Sequence, residues 1–192
     1  SNSGAAYVFS RSGNTWSQQV KLTANDGAEG DLFGIRVTLS DDTAVIGAAR
    51  EDGKGEDSGA AYVFVRSGST WGQQAKLSAA DGAANDRFGT RVALYGNSAV
   101  IGAILDDAMS ENSGSAYVFT RSGSTWSQQA KLTASDGAAD DVFGWNTANN
   151  NNNVDSGGDS HGSAVSGIIG DKRRGSVYAE LVVGNCYHGG VF

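Results

Sequence analysis

One interval governs this chain. Tyr7, Tyr62 and Tyr117 stand 55 residues apart, as do Trp16, Trp71 and Trp126, and Phe33, Phe88 and Phe143. The stretch "GAAYVFSRSGNTWSQQVKLTANDGAEGDLFGIRVTLSDDTAVIGA" returns as "GAAYVFVRSGSTWGQQAKLSAADGAANDRFGTRVALYGNSAVIGA", and a third copy holds from Gly114 through Gly144. A fixed period of this size means an array of like units, each burying its apolar face on its neighbours.

Within a unit the apolar period is two. Ile35, Val37 and Leu39 share one face, with Arg36, Thr38 and Ser40 on the other. Such alternation marks strands with one face better buried than the other. Pro is absent, so the turns are built from Gly, Asn, Asp and Ser, as in "RSGNT" and "SDDT". Counted from the Phe-Gly pair, each unit supplies four antiparallel strands: "IRVTLS", "TAVIGA", "AAYVFVRS" and "TWGQQAKL". That is the content of one β-propeller blade. The polar pattern of the fourth strand suits a partly exposed outer strand, and the Ala, Gly and Ile of the second suit a crowded place near the axis. The expected fold is all-β: about three and a half repeats of a propeller, as an incomplete ring or an excerpt. It divides into a half blade 1–27, blades 33–78 and 88–133, and a divergent blade 143–192 with an Asn-rich insertion at 145–160. Phe33, Phe88 and Phe143 are expected as wedges between blades, with Gly34, Gly89 and Gly144 allowing close backbone approach. Packing between blades is also the expected task of the three repeated tryptophans.

At "FG…AVIGA…AYVF" the units resemble the FG-GAP repeat, the blade-forming repeat of the integrin α-chain head and of many bacterial surface proteins. The "TWSQQ.KL.A.DGA..D.FG" variant is similar to a bacterial subtype found in large secreted proteins. The resemblance implies a β-propeller, an extracellular or cell-surface location, and a binding, adhesive or structural role. A closed propeller needs about 4–8 blades, so the chain reads either as part of a longer protein, which is favoured, or as one of several chains completing a ring.

An antiparallel four-stranded blade sends its 2–3 and 4–1 connections out of the same end. In this chain they are the carboxylate-rich loops: "AREDGKGEDSG" and "ILDDAMSENSG", then "ANDGAEGD", "AADGAAND" and "ASDGAADD". Asp26, Asp31, Asp52, Asp57, Asp81, Asp86, Asp106, Asp107, Asp136 and Asp141 are thereby gathered on one expected acidic face. Such a face suits calcium, or a protein or glycan ligand; turn geometry and solubility explain the same residues more plainly, Asp-Gly being a turn former.

Composition narrows the function. A net charge of −7 and a pI near 4.7 argue against a nucleic-acid binder. No apolar run approaches the ~18–20 residues of a membrane helix. One cysteine, Cys186, permits no internal disulfide, and neither it nor His161 and His188 sits in a nucleophile–base or zinc pattern. The expectation is a non-catalytic module. A lectin-like propeller, with ligands between blades, and the propeller module of a secreted polysaccharide-active enzyme are the alternatives.

The segment after Gly144 departs from the repeat. "WNTANNNNNVDSGGDS" shows no periodicity and reads as an exposed insertion. The tail "HGSAVSGIIGDKRRGSVYAELVVGNCYHGGVF" falls into line with the integrin-type repeat, whose calcium loop lies between strands 1 and 2. The resemblance puts Asp171 at the start of that loop, Ser176 at an inner oxygen position and Glu180 at the last carboxylate. Lys172, Arg173 and Arg174 stand where neutral or acidic residues belong, so this is a degraded calcium loop. In the regular units the same place holds only the tight turns "SDDT" and "YGNS", too short to wrap the ion.

Overall fold

The computed structural model describes residues 3–145 in full, together with the backbone of two strands at 164–168 and 180–185. Everything described is β-structure and turns. The strands run β1 (Ala6–Ser12), β2 (Thr15–Leu22), β3 (Arg36–Ser40), β4 (Thr43–Ala48), β5 (Ala60–Ser67), β6 (Thr70–Leu77), β7 (Phe88–Tyr95), β8 (Ser98–Ala103), β9 (Ser115–Ser122), β10 (Thr125–Leu132), β11 (Ala164–Ile168) and β12 (Glu180–Asn185). Two antiparallel four-stranded sheets result, β3-β4-β5-β6 and β7-β8-β9-β10, with a hairpin β1-β2 before them and a hairpin β11-β12 after. These are propeller blades, and the described residues do not close a ring. Among those residues no helix is long and apolar enough to cross a membrane.

Each expected strand of the two central units is present. The crowding of strand 2 comes from its place inside the sheet and from packing on both faces. β4 lies inside its sheet, between β3 and β5, and all six of its residues are buried. β3 is an edge strand, with Val37 60% and Leu39 64% exposed.

The alternation read from sequence sorts residues between two faces. Ala44, Ile46 and Ala48 of β4 join Tyr62 and Phe64 of β5 in a core shared with Val8 and Val20 of the first hairpin. Their neighbours Val45 and Val63 turn the other way, into a core with Phe88, Ile101, Tyr117 and Phe119. The first four-stranded sheet is therefore buried on both faces by different neighbours, as expected of a unit that cannot stand alone.

The Phe-Gly pair stitches consecutive sheets together. Phe88 is 1% exposed, and its ring meets Tyr117 and Phe119 edge-on at centroid distances of 5.5 and 6.0 Å. Its backbone N–H donates to Ser58 O of the preceding sheet at 2.9 Å. Gly89 has φ +89°, and a Cβ there would be driven into the carbonyl oxygen of Ala60. Only glycine suits both demands. The turn that delivers the pair is strained in each copy: Leu32, Arg87 and Val142 all adopt positive φ.

Trp126 packs against the core between the two sheets, and its indole N–H donates to Gln74 Oε1 at 3.0 Å. Trp71 packs likewise on the core shared with the first hairpin, whereas Trp16 is 64% exposed. Packing between blades is thus what the tryptophan position does wherever a preceding blade is described.

Candidate functional site

The 2–3 and 4–1 loops leave the sheets at one end and are bound to each other by main-chain hydrogen bonds. Asn85 N and Arg87 N donate to Glu56 O and Asp57 O at 2.7 and 3.1 Å; one unit later Asp140 N and Val142 N donate to Glu111 O and Asn112 O at 2.9 and 3.1 Å. Side chains fix each loop from within. Asp52 Oδ1 accepts from Asp57 N at 2.8 Å and Asp107 Oδ1 from Asn112 N at 2.7 Å. Buried Ser58 and Ser113 pin the crossing of their loops. A loop built this way is a preformed surface.

Asp31, Asp86 and Asp141 close the 4–1 turns, each accepting a backbone N–H three residues earlier at 2.7 Å (Ala28, Ala83 and Ala138). Burial pushes the Asp31 and Asp86 carboxyls above the ordinary range; the accepted N–H bonds hold them down only in part.

Two pairs of carboxylates converge across units, each pair on a lysine. Lys76 Nζ of β6 lies 2.6 Å from Asp26 in the preceding unit and 2.8 Å from Glu51 in its own. Lys131 of β10 repeats this with Asp81 and Asp106, both at 2.8 Å. Burial favours the neutral amine, but the hydrogen bonds each lysine donates to its two carboxylates outweigh it and raise both lysines. Asp26 and Asp81 are held below the ordinary carboxylate range: burial opposes this, and the lysine bonds overcome it. Beneath Lys131, Tyr117 OH donates to Asp106 Oδ2 at 2.8 Å and Ser115 Oγ to Asp106 Oδ1 at 2.8 Å. The equivalent Tyr62 hydroxyl is buried without a hydrogen-bond partner. Asp57 faces Arg50 at 3.6 Å and Arg87 at 3.8 Å.

The FG-GAP repeat model matches this chain three times in succession, over residues 16–64, 71–119 and 126–179. The chain belongs to the FG-GAP repeat family. No curated protein matches it significantly. Each FG-GAP match opens at the tryptophan of strand 4 and runs through the loop face into the next sheet. The sequence unit therefore straddles two blades, with the Lys–Asp contact and the Phe-Gly stitch at its seam.

A resident calcium ion would need several oxygen ligands converging on one point. Asp26, Asp31, Glu51, Asp52, Asp57, Asp81, Asp86, Asp106, Asp107 and Asp141 are engaged by backbone N–H groups, lysines or arginines, and among the described residues no three or more acidic, His or Cys residues are arranged to hold a metal. Asp136, the third-unit counterpart of Asp26 and Asp81, is exposed. Asp171 and Ser176 lie outside the described residues; Glu180 is described only as the backbone start of β12. Nor is the loop face simply acidic. Lys54, Lys76, Lys131, Arg50 and Arg87 stand among the carboxylates, and of these the sequence reading placed none at a site. The available signal was that Lys21, Lys76 and Lys131, like Asp26, Asp81 and Asp136, keep one charge at one position in all three units.

Proposed function

We propose that this FG-GAP chain is a non-catalytic binding module, placed outside the cell, that engages a macromolecular partner through its loop face in adhesion or surface architecture. The carrying observation is the cross-bracing of the 2–3 and 4–1 loops, in which backbone and side-chain hydrogen bonds spend the carboxylates on shape. A surface held rigid before contact loses little conformational freedom on binding. FG-GAP propellers are often extracellular, which supports the location.

The test uses the full chain applied to arrays of extracellular-matrix proteins and surface glycans. Exposed loop residues are altered in Lys54→Glu and Glu111→Lys, and the opposite end in Ser69→Glu. Saturable binding that falls about tenfold with the loop changes and survives Ser69→Glu is the expected result. Binding lost with Ser69→Glu and indifferent to both loop changes would overturn the reading.

A further inference from the structure

Two arginines break the charge pattern of the loop face. Arg36 opens β3 and Arg91 lies near the start of β7, one period on. β3 and β7 are the edge strands of their sheets and pack directly on each other, which sets the two side chains close enough for mutual repulsion. That repulsion and the burial of Arg91 drop the Arg91 pKa to about 10, burial being the larger cause. Among the described residues neither guanidinium has a carboxylate partner, whereas Arg50, Arg87, Lys76 and Lys131 each have at least one. Among the described residues their only side-chain hydrogen bonds are to the adjacent carbonyls: Arg36 NH1 donates to Ile35 O at 2.7 Å and Arg91 NH1 to Thr90 O at 2.9 Å. Each keeps most of its five N–H donors free.

The third unit adds an aromatic at the same place. Where the first two units have Ile35 and Thr90, it has Trp145, 42% exposed, with the Arg91 guanidinium 4.1 Å from its ring centroid. The stacked cation occupies one side of an indole that still meets solvent. The Arg91–Trp145 stack is attractive in itself, and the two like charges beside it are a field that an anion would neutralise.

We infer that Arg36, Arg91 and Trp145 form a binding site for a uronate-bearing saccharide, its carboxylate taken by the guanidinium pair and its pyranose face by Trp145. The planar fork of arginine matches a carboxylate in two-point contact, and the apolar C–H face of a sugar ring suits an exposed indole. An acidic peptide would use the arginines and leave Trp145 idle. A densely charged polyanion would be repelled by the net −7 of the chain. This assignment rests on the loop-face binding reading and specifies its ligand.

The test is isothermal titration of the full chain with trigalacturonate, with neutral galactotriose, sodium sulfate and tetra-aspartate as separate arms. Trigalacturonate should bind at one site and galactotriose should not. Arg36→Gln and Arg91→Gln should each weaken binding about tenfold or more, and Trp145→Ala should weaken it while leaving the melting temperature in place. Arg36 is exposed, so Arg36→Gln carries the test should Arg91→Gln fail to fold. No binding up to about 10 mM, indifference to Arg36→Gln, or equal binding of galactotriose, sulfate or tetra-aspartate would overturn the assignment. A chain that refuses trigalacturonate but keeps its loop-dependent array partner loses only this ligand, not the function proposed above.

Discussion

The two inter-sheet junctions of this chain are made from the same repeat, yet they are finished differently. At the junction between the two four-stranded sheets, Asp106 receives Lys131, Tyr117, Ser115 and its own loop's Ala108 N–H. At the junction between the first hairpin and the first sheet, Glu51 receives Lys76 alone. Ala60 stands where Ser115 would be, and the Tyr62 hydroxyl is left unpaired. The far ends differ too. Arg121 reaches across to Thr43 Oγ1 at 3.0 Å, and Val92 and Leu94 are covered, while their counterparts Val37 and Leu39 are bare. The lesson is that the seam tolerates variation in its polar contacts so long as the Phe-Gly stitch and the Lys–Asp bridge are kept.

The hardest way to break the comparison is through the stitch itself. Phe88→Ala empties a fully enclosed position, and about 3–5 kcal/mol of unfolding free energy should disappear in chemical denaturation. Phe33→Ala faces a hairpin rather than a whole sheet and should cost less. Equal losses would show that the missing strand pair in the first junction is energetically irrelevant.

Next comes the polar seam. Asp106→Ala leaves the buried Tyr117 and Ser115 hydroxyls without their acceptor, while Lys131 keeps Asp81, and should cost about 2–3 kcal/mol. Glu51→Ala strands only Lys76, which keeps Asp26, and should cost about 1 kcal/mol. Reversal of that order in matched melts would mean that the Tyr117 and Ser115 bonds add nothing to the Lys131 bridge.

Much of this was legible in the sequence, for physical reasons. Strand alternation is local, so β3 to β10 could be read from neighbouring residues, and the 55-residue period assembled them into blades. The buried wedge role of Phe88 and the close approach at Gly89 also follow from residue type and repetition. The lysines were not legible in the same way. Lys76 sits on an edge strand in a mixed polar run, where a solvated charge is the ordinary reading, and its partner Asp26 lies 50 residues away across the seam. Burial decides Asp31 and Asp86 as well, since the same Asp-rich turns look equally solvated when only their composition is seen. Arg36 and Arg91 repeat at one period, but their lack of a partner is a property of the packed strands.

The smallest effect separates the two kinds of carboxylate in this face by the sign of their pH dependence. Asp81 is depressed in the folded state, so its contribution is present above the unfolded pKa of about 4 and is lost as pH falls through the folded value. Asp86 is raised, chiefly by burial, so its contribution is full below about pH 4 and is lost as pH climbs through the raised value. Denaturant midpoints across roughly pH 3 to 7, the carboxylate window, should therefore move in opposite directions in the two isosteric variants. Asp81→Asn should remove stability at the neutral end while leaving the acid end nearly unchanged. Asp86→Asn retains an acceptor for Ala83 N, sheds a buried charge, and should lose the decline that the native chain shows as pH rises above about 4. If both variants flatten the profile in the same direction, the distinction between a lysine-held and a backbone-held carboxylate is wrong. If only Asp86→Asn acts, the Lys131 bridge is screened by water to the point of silence, and the seam is then held by its aromatic stitch.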